Sequence, residues 1–201
     1  MALQRLVVLD FEATCDDKPT KLPQKIIEFP AVVVCAKTGQ RIGTSEFHEY
    51  VNPHQPLSQF CNNLTGITQA QVDAGDPIEV VFPRHLEWLY EQGLDPYHSD
   101  AHPRWAYVTC GDWDFQTCFP NESVDGVPCT RRWINIKRPF RTFTGQRGGG
   151  MTGMLSKLGL SLDGRHHSGI DDTRNTAKIA STLIAMGWEP HESDLTALRD
   201  A

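Results

Sequence analysis

Residues 4–11 (Gln-Arg-Leu-Val-Val-Leu-Asp-Phe) are apolar on both faces, which predicts a strand buried in the middle of a sheet. Residues 26–36 and 41–51 continue in β-branched and aromatic types on either side of the turn Lys37-Thr38-Gly39-Gln40, so a second and a third strand join the first in an antiparallel meander. After a proline-bounded stretch the apolar period changes to that of a helix over 78–92, with Val81, Phe82, His85, Leu86 and Leu89 on one side. A polar loop with two prolines, 93–104, leads to a fourth strand at 105–110. Gly111-Asp112 opens a short helix through Phe119, and Trp133-Ile134-Asn135-Ile136 forms a fifth, short strand. The glycine run 148–150 precedes a helix at 151–158, and a long helix occupies 171–187. This order predicts an α/β fold with a mixed sheet, in one domain whose core runs from about 4 to 188 and whose residues 189–201 form a tail.

The 201 residues, 39% hydrophobic and 22% charged, suffice for one globular core. No window has the roughly 18 uninterrupted apolar residues of a membrane span, and Asp10 and Glu12 interrupt the apolar start, so neither a membrane protein nor a signal peptide is expected. Six cysteines without a C-x-x-C pair read as reduced thiols of an intracellular protein, cytoplasmic or nuclear. A zinc site from Cys110, Cys118, Cys129 and His102 would need spacings unlike those of the usual ligand pairs.

The net charge of -6 argues against a general nucleic-acid coat, but its distribution alters that reading. Residues 131–147 carry six basic residues and no acid, leaving -12 on the other 184. The segment is either a locally positive face, with Arg138 and Arg141 as phosphate contacts, or a solvated loop.

Three places concentrate acids. Asp10 and Glu12, two apart at a strand end, leave the same face of the sheet's carboxyl edge, where α/β sheets tend to bind ligands. In Gly111-Asp112-Trp113-Asp114-Phe115, Asp114 shares a face with Phe115 and Cys118 and points inward, while Asp112 suits an N-cap. On the last helix Asp172 lies over Thr176, Ile179 and Leu183, whereas Asp171 lies over Arg174, Asn175 and Lys178. Asp172 therefore faces in and needs a partner or a cation, since burying an acid alone is costly. His167 stands five residues before it.

Asp10-Phe11-Glu12-Ala13-Thr14, then Trp113-Asp114, then His167 with four residues before Asp172, resembles the DEDDh family of 3′-to-5′ exonucleases with an RNase H-like fold. The stretches 60–68 (Phe-Cys-Asn-Asn-Leu-Thr-Gly-Ile-Thr), 133–136 and 164–175 are similar to the Eri-type exoribonuclease branch, so the likeness covers about residues 4–188. It implies two Mg²⁺ or Mn²⁺ ions held by Asp10, Glu12, Asp114 and Asp172, with Glu12 and His167 in the chemistry and His167 as general base. It puts the terminal nucleotide against Glu12, Ala13, Thr14, Leu64, Thr65, Gly66, Ile67 and His167, and it leaves Trp113 either to stack on an RNA base or to fill the core, the commoner place for tryptophan. The implied activity is removal of nucleoside 5′-monophosphates from RNA 3′ ends, single-stranded or overhanging, by a monomer or within a ribonucleoprotein. Three other readings share the pattern: an exonuclease acting on DNA, a variant restricted to oligonucleotides, and a non-catalytic RNA-binding protein of this fold.

Overall fold

Strand β1 (Arg5–Leu9) sits inside a sheet of seven strands in this computed structural model, which describes residues 1–18, 23–43, 46–97 and 104–197. It pairs antiparallel with β3 (Ile26–Cys35) on one side and parallel with β5 (Trp105–Thr109) on the other. The path continues from β5 to β6 (Arg132–Asn135), parallel, and from β6 to β7 (Leu195–Ala197), antiparallel. The first half of β3 also pairs with β2 (Glu12–Ala13) and with β4 (Phe47–Tyr50), both antiparallel. The mixed sheet with an antiparallel start is thus the expected one.

Alternation along β1 explains why the sheet is covered on both faces. Val7 and Leu9 join Phe11, Phe29, Tyr107 and Trp133 in a cluster packed under helix α3 (Ile78–Glu91). Leu6 and Val8 point the other way, into a cluster with Val32, Val34 and two helices named below. Short helices α1 (Gln59–Thr65) and α2 (Gln69–Ala74) cover a smaller group, Ile27, Cys61, Ile67 and Val72. A further short helix, α4 (Lys137–Thr144), precedes α5 (Met151–Lys157) and the long α6 (Gly169–Ala185), and α5 and α6 close the second face.

Several elements differ from expectation for identifiable reasons. The first strand does not run unbroken to residue 11: the ladder stops after Leu9 and resumes at Glu12, with a register shift against β3. The third strand shortens to Phe47–Tyr50; Arg41 makes an isolated bridge to Val34, and residues 44–45 lie outside the described ones. The proline-bounded stretch contains α1, capped by Ser58 through the Cys61 amide, and α2, opened by a Thr68–Gln71 capping box. The segment after Trp113 forms a single π turn, Asp114–Cys118, and then a 3₁₀ turn, Phe119–Asn121, not a short α-helix. Residues 195–197, assigned to a tail, supply the edge strand β7. Of the loop 93–104, residues 98–103 lie outside the described ones. No described helix is long and apolar enough to cross a membrane.

Candidate active site

The break between β1 and β2 builds the first part of the site. Released from the ladder, the Phe11 amide donates to Asp114 Oδ1 at 3.0 Å, joining the end of β1 to the π turn that follows β5. Asp10 and Glu12 flank that amide. Irregularities of this kind re-aim side chains, and here they turn two acids toward a third.

Helix α6 supplies the fourth acid with the phase read from the sequence. Asp172 is 3% exposed, whereas Asp171 turns outward to Arg174 Nη1 at 3.1 Å. One oxygen of Asp172, Oδ2, accepts the His167 amide at 2.9 Å and faces His166 Nδ1 at 3.0 Å. The other, Oδ1, is buried without a hydrogen-bond partner. His167 takes a left-handed backbone, φ 65°, which aims its amide at the carboxylate. Asn175 closes the same loop, donating to the carbonyls of Asp163 and Asp171 at 2.8 Å each.

The four acids perturb one another. Burial, followed by the charges of Asp114, Asp172, Glu12 and Glu28, holds the Asp10 carboxyl well above the ordinary range. Glu12 is pushed up to about 8 by burial and then by Glu28, Asp172 and Asp114, with Arg165 opposing. Asp114 rises to about 6 through burial, against the Phe11 amide and the Lys137 ammonium. Asp172 rises through burial too, opposed by the His167 amide and His166. Oxygen donors crowded at this density, one of them unsatisfied, fit hard divalent cations such as Mg²⁺ or Mn²⁺. His167 is pushed down, by burial first and by His166 second, so its imidazole is neutral near pH 7 and able to accept a proton.

Glu28 was missed in the sequence. It is 2% exposed on β3, opposite Glu12, and accepts from the amides of Gly169 at 2.9 Å and Ile170 at 3.0 Å. His48 Nε2 lies 2.8 Å from the same carboxylate. Glu28 therefore caps α6 from the sheet, a favourable place for an anion, and sets where Asp172 stands relative to Asp10 and Glu12. Gly169 permits the approach: a Cβ there would lie 3.0 Å from the Asp10 carbonyl oxygen and from Glu28 Oε2.

The remaining candidates scatter around this cluster. Ala13 is buried in β2, and Thr14 Oγ1 accepts from the Lys25 amide and from Gln55 Nε2. Thr65, Gly66 and Ile67 border a recess of about 250 Å³ with Tyr50, Arg165 and Ser168. Leu64 gives its carbonyl to Arg165 Nη2 at 2.9 Å, and a Cβ on Gly66 would run into that guanidinium. The free space above Gly66 is thus taken by Arg165, a residue the sequence reading did not select. Trp113 is not in the core: it is 36% exposed, because Phe115 fills the interior of the π turn. Asp112 is not an N-cap; its Oδ1 accepts the Trp133 indole at 3.0 Å. The basic segment is no loop, since Arg138 and Arg141 stand exposed on α4, whose Pro139 and Phe140 are buried, while Lys137 reaches toward Asp114. The three thiols of the zinc reading are not gathered: Cys118 and Cys129 belong to one face's cluster and Cys110 packs against the other's. His102 lies outside the described residues.

The family model described as Exonuclease (RNase_T) matches residues 7–180. The chain is 39% identical over 198 residues to ERI1 exoribonuclease 2 of Xenopus laevis, covering 90% of this chain and 28% of that protein. It is 41% identical over 189 residues to ERI1 exoribonuclease 3 of Homo sapiens, covering 90% of this chain and 54% of that one. The chain thus spans less than a third of the first relative and about half of the second. Among solved structures, the nuclease domain of 3′hExo, a DEDDh family member bound to rAMP, superposes with a TM-score of 0.85 at 33% identity, over 94% of this chain and 96% of that one.

Two outcomes follow from the geometry. Glu28→Gln keeps the shape but leaves one of the three donors around it without a good acceptor, so it should lower unfolding stability by about 1–3 kcal/mol. Chemical denaturation measures this, and an unchanged midpoint and slope would remove Glu28 from the anchoring role. The second outcome concerns pH. Asp10, Glu12, Asp114 and Asp172 bind protons more tightly folded than unfolded, so the stability they contribute is present at low pH and lost as pH rises through about 6 and about 8. Chelator-treated protein should melt at a lower temperature at pH 8.5 than at pH 5.5, and millimolar Mg²⁺ should restore the loss. A flat or rising melting temperature without metal would contradict the carboxylate crowding.

Proposed function

The chain belongs to the exonuclease family, and we propose that it is a 3′-to-5′ exoribonuclease that hydrolyses the terminal phosphodiester of RNA and releases nucleoside 5′-monophosphates. The observation that carries this reading is the convergence of Asp10, Glu12, Asp114 and Asp172 at one sheet edge beside His167. Asp10, Glu12, Asp114 and Asp172 would hold two divalent cations, Mg²⁺ or Mn²⁺. Bound there, such ions supply the positive charge that stabilises the attacking and leaving oxygens of an in-line phosphoryl displacement.

The chain's own groups do the rest. Neutral His167 accepts the proton of the attacking water as its oxygen bonds to phosphorus, and the bond to the 3′ oxygen of the preceding nucleotide breaks. Asp172 fixes His167 through the backbone amide rather than through the ring, so the imidazole keeps its nitrogens for this task. Ala13 and Thr14 meet the terminal ribose, and the 64–67 turn meets the base beside the recess that Arg165 borders. The exposed cations of α4 guide the phosphate backbone toward an acidic centre that would otherwise repel it. Choice of RNA over DNA rests on contacts to the 2′-hydroxyl. The natural substrate class is RNA with a free single-stranded or overhanging 3′ end, and the chain works as a monomer inside or outside a ribonucleoprotein.

Digestion of 5′-end-labelled RNA and matched DNA with and without Mg²⁺ tests the reading. A metal-dependent ladder shortening from the 3′ end, faster on RNA, is expected, and Asp10→Asn should retain less than about a tenth of the rate. Preference for DNA would substitute the deoxyribonuclease reading, and an active Asp10→Asn would dismiss the two-ion arrangement. Replacing Arg138 and Arg141 together by Ala should weaken binding of long RNA and flatten its salt dependence while hydrolysis of a dinucleotide stays nearly unchanged. Equal losses on both substrates would move these residues from the approach path into the fold or the pocket.

A further inference from the structure

His166 has no part in the hydrolysis derived above, yet it occupies a defined place. Its ring stacks on that of His167 with centroids 3.9 Å apart and planes 20° from parallel. Its Nδ1 is 3.0 Å from Asp172 Oδ2. One donor atom from each of His166, His167 and Asp172 lies within 4.8 Å of the other two, a group unique among the described residues. Two ligands on a tetrahedral ion with bonds of about 2.0–2.1 Å stand about 3.3 Å apart, so an ion could replace the His166–Asp172 proton, and the His167 ring would turn out of the stack to bring its nitrogen to the third position. The donor set differs in kind from the four-carboxylate centre. Mg²⁺ takes oxygen ligands, whereas two imidazoles and a carboxylate suit borderline ions such as Zn²⁺. Access is open, because the His166 side chain is 41% exposed while Asp172 is buried beneath it with Oδ1 unpartnered.

We propose that His166, His167 and Asp172 form a second kind of metal site, for a borderline divalent ion, and that filling it stops hydrolysis. The inhibitory half rests on the exoribonuclease reading. A His167 nitrogen that coordinates an ion cannot also take a proton from water, and Asp172 is drawn out of the carboxylate centre. His166 thereby becomes the residue that lets the site distinguish the ion that activates it from one that arrests it.

The test uses the full chain stripped of metal and Zn²⁺ as the probe, with millimolar Mg²⁺ present to occupy sites made of carboxylates alone. Competition with a chromophoric zinc indicator should show one tight Zn²⁺ equivalent in the unaltered chain. His166→Ala should weaken it about tenfold or more, while His191→Ala, which removes another surface imidazole, should leave it unchanged. Co²⁺ should give a ligand-field spectrum with nitrogen ligation that His166→Ala loses. In RNA hydrolysis the Zn²⁺ concentration that halves each variant's own Mg²⁺ rate should rise by a similar factor in His166→Ala. Equal Zn²⁺ affinity in His166→Ala and the unaltered chain, or no tight equivalent in either, overturns the site. Inhibition indifferent to His166 overturns the switch. A chain that binds Zn²⁺ through His166 but cuts no RNA in Mg²⁺ supports the site and overturns the exoribonuclease reading together with the switch.

Discussion

Mutual repulsion among buried carboxylates is the constraint around which this molecule is organised. Five acids, Asp10, Glu12, Glu28, Asp114 and Asp172, meet near one end of β1, where burial first and the charge of their neighbours second make Asp10 and Glu12 hard to ionise. Left to themselves they would push the surrounding elements apart. Backbone donors meet three of them: the Phe11 amide on Asp114, the His167 amide on Asp172, and the amides of Gly169 and Ile170 on Glu28. Each of these bonds ties together parts of the chain remote in sequence or turns a tight loop, so the electrostatic problem and the architecture are solved by the same contacts.

Glu28 has two effects of opposite sign. It adds a negative charge that makes Glu12 harder to ionise, and it holds down the helix that brings Asp172. An apolar residue there would ease the first effect and forfeit the second, leaving two helix-terminal amides buried without partners. The positive side is segregated. Lys137 and Arg165 act on the acids, whereas Arg138 and Arg141 stay on the outer surface of α4. Attraction for polyanions and avidity for cations thus occupy adjoining regions without cancelling.

The parts legible in the sequence were those governed by a period or by composition. Apolar positions on both faces marked β1 as an interior strand, and the 3.6-residue repeat separated Asp172 from its neighbour Asp171. Contacts between distant segments left less trace. Glu28 lies between Ile27 and Phe29 and looks like the polar half of an alternating strand, while the amides it accepts are 141 and 142 residues away. Helices α1 and α2 are too short for a period, although Ser58 and the Thr68–Gln71 box were readable as caps. Trp113 followed the usual burial of its type in expectation but not in fact, because the π turn gives the interior position to Phe115. His166 carried no signal that separated it from a loop residue until its ring was seen against Asp172.

The break after Leu9 has a bearing on how the protein is made. The amide it frees is satisfied 103 residues later, and the helix that Glu28 caps is later still. A ribosome releases the chain from the amino end, so β1 to β4 emerge long before α6. During that interval Asp10 and Glu12 are present without Asp172 or His167, and the growing polypeptide holds an unfinished centre close to the message and ribosomal RNA that produce it. The centre is complete only once α6 docks, so under the proposed activity the chain stays inert toward the RNA around it until that helix has emerged.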